Sequence, residues 1–137
     1  MPVIVTPRPP LNLFEAVREE ATSAWADIYT VPSYRIPASG PSPQRDINAA
    51  AIMNGLLVSN TTGTSIAFSA RIVSTDTNTY AILEDAAVPA NDFMVVALER
   101  QVMLTGETIQ VKVGAAQTAD VHFSFILNTR EEYEVLP

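Results

Sequence analysis

The chain has 137 residues, of which 47% are hydrophobic and 17% charged, with a formal net charge of −7 and no cysteine. This length fits one domain, the acidic balance disfavours contact with nucleic-acid phosphates, and the lack of cysteine excludes disulfides, thiolate nucleophiles and cysteine-based zinc sites. No apolar run reaches the roughly 20 residues of a membrane span, and residues 1–10 lack the pattern of a secretion signal.

The N-terminal segment begins with four prolines within residues 1–10, which keep a chain extended and out of helix interiors. This segment is either an arm that lies on a partner or a frayed terminus. Asn12 and Glu15 then form a helix-start capping pair, followed by apolar residues at helical spacing. The sequence therefore predicts a unit over residues 1–24, made of a Pro-rich arm and one short helix over residues 12–23.

A strand and a long loop follow. Residues 25–31 include the strand formers Ile28, Tyr29 and Val31, and Pro32 ends the run, which predicts the first strand of a sheet. Residues 33–47 contain three prolines, a glycine and three serines without any period, which predicts a long loop. Tyr34, Arg35 and Arg45 are residue types favoured at interfaces. This loop therefore either contacts a partner or is exposed to solvent.

The remaining chain is a series of short apolar or alternating runs separated by turn signals. Strands are predicted over residues 48–59, 65–73, 79–83, 93–98, 108–113 and 121–128. The segment 48–59 has an alternative start, a short helical turn at residues 49–51. Such spacing is typical of an antiparallel β-sandwich or jelly roll. We predict a mainly β protein with residues 25–137 as the sandwich domain. The acidic tail from residue 131 is either a last edge strand or free.

No catalytic arrangement is visible in these residues. His122 is the single histidine and lies on the polar side of its predicted strand, and the five glycines form no phosphate-binding loop. The acidic residues considered as a carboxylate pair lie mostly in turns, where Asp bonds to the local backbone; they are Asp76, Glu84, Asp85, Asp92 and Asp120. We predict no enzyme, no cofactor and no metal site.

Five stretches of the sequence resemble a group of small virion proteins of tailed bacteriophages. They are Ile28-Tyr29-Thr30-Val31-Pro32, Leu56-Leu57-Val58-Ser59-Asn60-Thr61-Thr62-Gly63, Val88-Pro89-Ala90-Asn91-Asp92, Leu104-Thr105-Gly106-Glu107-Thr108-Ile109-Gln110-Val111 and Ala115-Ala116. The likeness spans about residues 28–128. The chain differs from the group in its loop over residues 33–47 and in its N-terminal extension.

The resemblance implies a structural subunit that is repeated in the neck, tail or baseplate of a virion assembled in the host cytoplasm, with a capsid decoration protein as the alternative. Its partners would be copies of itself and other virion proteins, without direct contact with nucleic acid or membrane. The arm, the loop and the tail are the expected contact segments. The residues predicted for this interface are Pro7, Arg8, Pro9, Phe14, Tyr34, Arg35, Ile36, Arg45 and Tyr133.

A carbohydrate-binding module on the particle is a further alternative. It would use exposed aromatic residues as a sugar platform, and the aromatic residues available for one are Trp25, Tyr29, Tyr34 and Tyr80.

Overall fold

The computed structural model describes residues 11–36, 40, 41, 43 and 45–130, and within these residues all regular structure is β-strand. The strands in chain order are β1 (Leu11–Ala21), β2 (Ala26–Thr30), β3 (Ser33–Ile36), β4 (Arg45–Asn60), β5 (Ile66–Val73), β6 (Thr79–Val88), β7 (Asp92–Leu104), β8 (Thr108–Val113) and β9 (Ala119–Arg130). In the described part of the chain no helix has the length and apolar character to cross a membrane.

The strands form two antiparallel sheets. In the five-stranded sheet β1, β9 and β4 lie side by side, and the far edge of β4 pairs first with β3 and then with β7. The four-stranded sheet has the order β2-β8-β5-β6. Neighbouring strands are often distant in the sequence, as β1 and β9 are, so the fold depends on long-range pairing.

One hydrophobic core lies between the sheets. Phe68 of the four-stranded sheet and Phe123 and Phe125 of the five-stranded sheet are almost completely buried in it. The Phe123 and Phe125 rings stack with their centroids 4.9 Å apart, and the Tyr29 ring lies 4.3 Å from that of Phe125. The prediction of a mainly β protein with two antiparallel sheets is therefore confirmed.

Most of the predicted strands occur close to their expected positions. β8 covers residues 108–113 as predicted, because Ile109, Val111 and Val113 alternate with polar residues and are buried. β5 begins one residue later than predicted. β6 and β7 are both longer than predicted and continue through polar residues that the alternation did not include.

The predicted helix over residues 12–23 is wrong, because these residues contain β1, which pairs with β9 from Leu11 to Ala21. Val17 and Ala21 face the core in the strand. These two residues are four apart, a spacing that puts side chains on one face in a helix and in a strand alike. The local pattern was therefore compatible with both structures, and pairing with β9 selects the strand.

Two further predictions around β4 need correction. The loop predicted over residues 33–47 is shorter, because Ser33–Ile36 form β3 and pair with Arg45–Asn48 at the start of β4. The helical turn at residues 49–51 is wrong as well, since Ala49 and Ala51 are buried strand residues of β4. Neither the Pro-rich arm, residues 1–10, nor the acidic tail, residues 131–137, belongs to the described residues.

Replacing Gly106 with alanine is expected to lower the free energy of unfolding by about 2 kcal/mol. Gly106 connects β7 to β8 with a φ of +86°, and an added Cβ would lie 2.6 Å from Cγ2 of Thr75. Its amide also donates to the carbonyl of Val31 at 2.9 Å, which leaves the turn little room to shift. Urea unfolding measures the loss. Gly63→Ala is the matched control, because nothing lies within 4 Å of a Cβ there, and equal losses in both variants would contradict the prediction.

Candidate protein–protein interface

The outer face of the five-stranded sheet follows from the register of β9. Phe123 and Phe125 are buried in the core, so Ser124 between them points away from it. Residues directly opposite each other in an antiparallel sheet share a face. The pairing of β1, β9, β4 and β7 therefore shows which side chains lie together on the outside.

Three rows of residues cross the middle of this outer face. Each row takes one residue from β1, β9, β4 and β7, in that order. The central row is Ala16, Ser124, Gly55 and Ala97; the Phe14 row is Phe14, Ile126, Ile52 and Val102; and the Arg18 row is Arg18, His122, Leu57 and Val95.

The outer face is largely apolar. Nine large hydrophobic side chains are exposed among the described residues, and seven of them lie on this face: Phe14, Ile52, Leu57, Phe93, Val95, Val102 and Leu104. Phe14 has 86% of its surface exposed and Val95 has 65%. Hydrophobic residues scattered singly over a surface need no explanation, whereas a contiguous group marks a binding surface.

Small residues make the central row a trough between two higher rows. Open depressions lie along it, one lined by Gly55 and Ala97 and another by Ala16, and Ser124 lines both. A Cβ at Gly55 would lie 3.1 Å from the carbonyl oxygen of Val96, so a larger residue there would require the backbone to move. The central row is therefore the lowest part of this face.

Charge on the described part of this face is confined to the end of β1 and the start of β9. Arg18 Nε donates a hydrogen bond to His122 Nδ1 at 3.4 Å. Glu20 and Asp120 are paired one row further along. The face thus has a mixed-charge corner, carries the neutral polar side chain of Asn54, which donates a hydrogen bond to Ser124 at 3.3 Å, and is otherwise mainly apolar or small.

The structure locates only part of the interface predicted from sequence. Phe14 lies on the outer face and is the most exposed of its large hydrophobic residues. Tyr34, Arg35 and Ile36 lie in β3, and Arg45 is the first residue of β4, opposite Ile36. The other four predicted residues lie outside the described part of the chain: Pro7, Arg8, Pro9 and Tyr133.

The sequence interpretation missed the contribution of β4 and β7 to this face. It predicted strands over residues 48–59 and 93–98 without assigning a buried or an exposed side to either. A run that is apolar at consecutive positions has two apolar faces, as strands covered on both sides do. This signal was available at Val95 and Leu57, whose exposure reveals that the described chain covers only one side.

Two of the stretches that resemble the virion proteins meet in space. The Asn60 side chain, at the end of β4, donates to the carbonyls of Val88 and Pro89 at 3.1 and 3.0 Å. In return the Asn91 amide donates to the carbonyl of Thr62 at 3.0 Å. Asn60 is buried, so these bonds hold the β4–β5 and β6–β7 turns together. The role visible for these residues is structural.

The carboxylates considered from the sequence are dispersed in the structure. Asp76 is an exposed turn residue, and hydrogen bonds from the Ser74 hydroxyl and the Asn78 amide hold its pKa below the usual value. Asp85 accepts a hydrogen bond from Ser69 at 3.4 Å in an irregular part of β6. Among the described residues no three His, Asp or Glu side chains are grouped so that they could hold a metal ion.

The aromatic residues considered for a sugar platform are also separated. The Tyr29 ring packs on Phe125 in the core, and Tyr80 lies on β6. Two cations lie over the Trp25 ring, the Arg71 guanidinium at 4.0 Å and the Lys112 ammonium at 4.9 Å. These cations compete with a sugar for stacking on Trp25, so the described geometry does not favour this use.

Comparisons with known proteins give distant structural similarity alone. No protein-family model matches the sequence, and no curated protein matches it. A chain from the structure of infectious bursal disease virus Gx strain is 10% identical, with a TM-score of 0.47 and coverage of 93% of this chain and 34% of that one. A chain from the infectious bursal disease virus VP2 subviral particle is 12% identical, with a TM-score of 0.44 and coverage of 92% and 34%.

A pilus subunit is a third structural neighbour. It comes from Bacillus endospore appendages, described as a family of disulfide-linked pili, and is 14% identical, with a TM-score of 0.44 and coverage of 95% of this chain and 97% of that one. The present chain therefore spans about a third of the bursal disease virus chains and nearly all of the pilus chain. At these TM-scores we draw no functional conclusion from the likenesses.

Proposed function

We propose that this protein is a structural subunit of a virion and acts by binding copies of itself and other virion proteins, without catalysis. The observation that carries the proposal is the apolar outer face of the five-stranded sheet. The seven exposed hydrophobic side chains on it would be costly to leave in water, since fully burying such a side chain from full exposure contributes about 1.5–3 kcal/mol, and four of the seven are more than 60% exposed. The sequence resemblance to virion proteins of tailed phages supports the same role.

The finer assignment is a jelly-roll subunit in the neck, tail or baseplate of a tailed phage. The strand orders β1-β9-β4-β7 and β2-β8-β5-β6 support the jelly roll, because eight strands form two four-stranded arrays and the chain crosses between the arrays at every step except β5 to β6. β3 adds to the edge of the first array. In this assignment the subunit is assembled in the host cytoplasm and has no direct contact with nucleic acid or membrane. A capsid decoration protein is the alternative, which would use the same apolar face on the head surface.

The location of a tagged copy tests the proposal. Particles would be purified from cells that carry the gene with its neighbours, and their proteins identified by mass spectrometry. We expect the protein in the particles, and a gold-labelled tag at the neck, tail or baseplate in electron micrographs. A label spread over the head would support the decoration alternative. Absence from purified particles, with the protein free in the lysate, would overturn the virion proposal.

A further inference from the structure

We infer that the outer face of the five-stranded sheet packs against the same face of a second copy, related by a two-fold axis that runs along the central row. The inference rests on the proposed role of this face in assembly, and it names the partner and the geometry. A two-fold contact uses one self-complementary surface twice. The side chains that face each other after the rotation must therefore be compatible, and the rows of the face show whether they are.

The two rows beside the central row match each other. Rotation about the central row places the Phe14 row of one copy over the Arg18 row of the other, strand on strand. Val102 then faces Val95 of the second copy, and Ile52 faces Leu57 of the second copy. The small central row faces itself, so the contact between the copies is made by the high rows on either side of it.

The mixed-charge corner distinguishes this axis from a two-fold axis along the strands. An axis along the strands would place Arg18 over Val95 and Glu20 over Phe93, which buries charges against apolar side chains at high cost. The axis along the central row places Arg18 over Phe14 of the second copy instead. A guanidinium on an exposed aromatic ring is a favourable contact. This arrangement gives Leu57, Val95 and Arg18 suitable partners, and it places His122 of one copy over Ile126 of the other.

The area of the face is sufficient for a stable pair. The three rows and the next row on each side of them, about 6.8 Å apart on four strands about 4.8 Å apart, cover about 650 Å² on each copy. Two such faces bury about 1,300 Å² in total, within the range of about 1,200–2,000 Å² found for stable interfaces. Two sheets packed face to face in this way also match the usual separation of about 10 Å between sheets.

Cross-linking of single-cysteine variants tests the axis, and the natural chain contributes no thiol. Ser124 lies on the axis, so Ser124→Cys is expected to link to itself in the second copy with a short bis-maleimide; Ala97→Cys provides a second on-axis position should the first variant not fold. Two copies of Val95→Cys should not cross-link to each other, nor should two copies of Val102→Cys. The two variants should cross-link to each other when they are mixed. Tyr80→Cys, on the four-stranded sheet, is the control that stays unlinked.

Analytical ultracentrifugation of charge variants provides the second measurement. Val95→Arg places a charge against Val102 of the second copy at two symmetric points, and it is expected to weaken dimerisation by about 100-fold or more. Tyr80→Arg adds the same charge at a position 56% exposed on the other sheet and should leave dimerisation unchanged. Circular dichroism would verify that both variants remain folded.

The outcomes separate this inference from the proposed function. A monomer at high concentration that is nevertheless present in purified particles would overturn the inference and leave the virion role standing. Cross-links from Ala16→Cys to Ala97→Cys, in place of the self-links at Ser124, would overturn the axis, since they require rotation about the strand direction. A dimer with the expected cross-links that is absent from particles would support the inference and overturn the virion proposal.

Discussion

Replacing Phe123 with alanine is expected to lower the free energy of unfolding by about 3–5 kcal/mol. Phe123 has no exposed surface, and its ring stacks on Phe125 and lies 6.4 Å from Tyr29. It comes from β9, which is hydrogen-bonded to β1 on one side and β4 on the other. Because both neighbours hold the backbone in place, the sheets cannot close the cavity that alanine leaves.

Urea unfolding of Phe123→Ala and Phe93→Ala provides the matched comparison. Phe93 is 61% exposed on the outer face, so its truncation should cost the monomer about 0.5 kcal/mol or less. The measurement uses a low protein concentration, so that association through the outer face does not add to the stability. Similar losses for the two variants would mean that Phe123 is not part of a tightly packed core.

Replacing Asn60 with alanine is expected to lower the free energy of unfolding by about 3 kcal/mol. Its Nδ2 group donates to the carbonyls of Thr64, Val88 and Pro89 at 2.8, 3.1 and 3.0 Å, and its Oδ1 accepts from the amide and hydroxyl of Thr62 at 3.0 and 2.6 Å. Asn60 is 1% exposed, so water cannot replace these partners without opening the turn.

Asn60→Asp separates the loss of hydrogen bonds from a loss of packing, because aspartate has nearly the same shape. Its carboxylate would face three carbonyl oxygens, which raises the pKa of the new carboxyl in the folded state above its unfolded value. Its stability should therefore rise as the pH falls through the folded-state pKa, because protonation removes the repulsion. Asn54→Ala is the control, since exposed Asn54 has one hydrogen bond, to Ser124 at 3.3 Å. A loss at Asn60 as small as that at Asn54 would contradict the prediction.

Strands with strict alternation were predictable from the sequence. β8 and β5 show why: one set of alternate positions is apolar, a turn signal lies at each end, and both ends are close to the predicted ones. In such segments the local pattern and the tertiary environment require the same structure. A single apolar face of this kind also predicts which side is buried, as it did for Ile109, Val111 and Val113.

β1 was not predictable in the same way. Its local preferences, with alanine and glutamate among its residues, favour a helix. The backbone partners that make it a strand belong to β9, 98 to 118 residues later in the chain. Local propensity contributes a few tenths of a kcal/mol per residue, and a paired strand with Val17 and Ala21 packed on the core outweighs it. This information is not contained in residues 12–23 themselves.

The sequence by itself determined that the runs in β4 and β7 are apolar on both sides, and the tertiary structure determined which side stays exposed. Phe14 was predicted as a contact residue, and the apolar runs in β4 and β7 were recognised as strands. A strand with two apolar sides does not indicate which side meets the core of its own chain. That choice depends on which sheet covers it, and here the four-stranded sheet covers the side of Val58 and leaves the side of Leu57 and Val95 exposed. Sheet packing is a long-range property, so only the folded chain reveals the apolar surface that the proposed assembly uses.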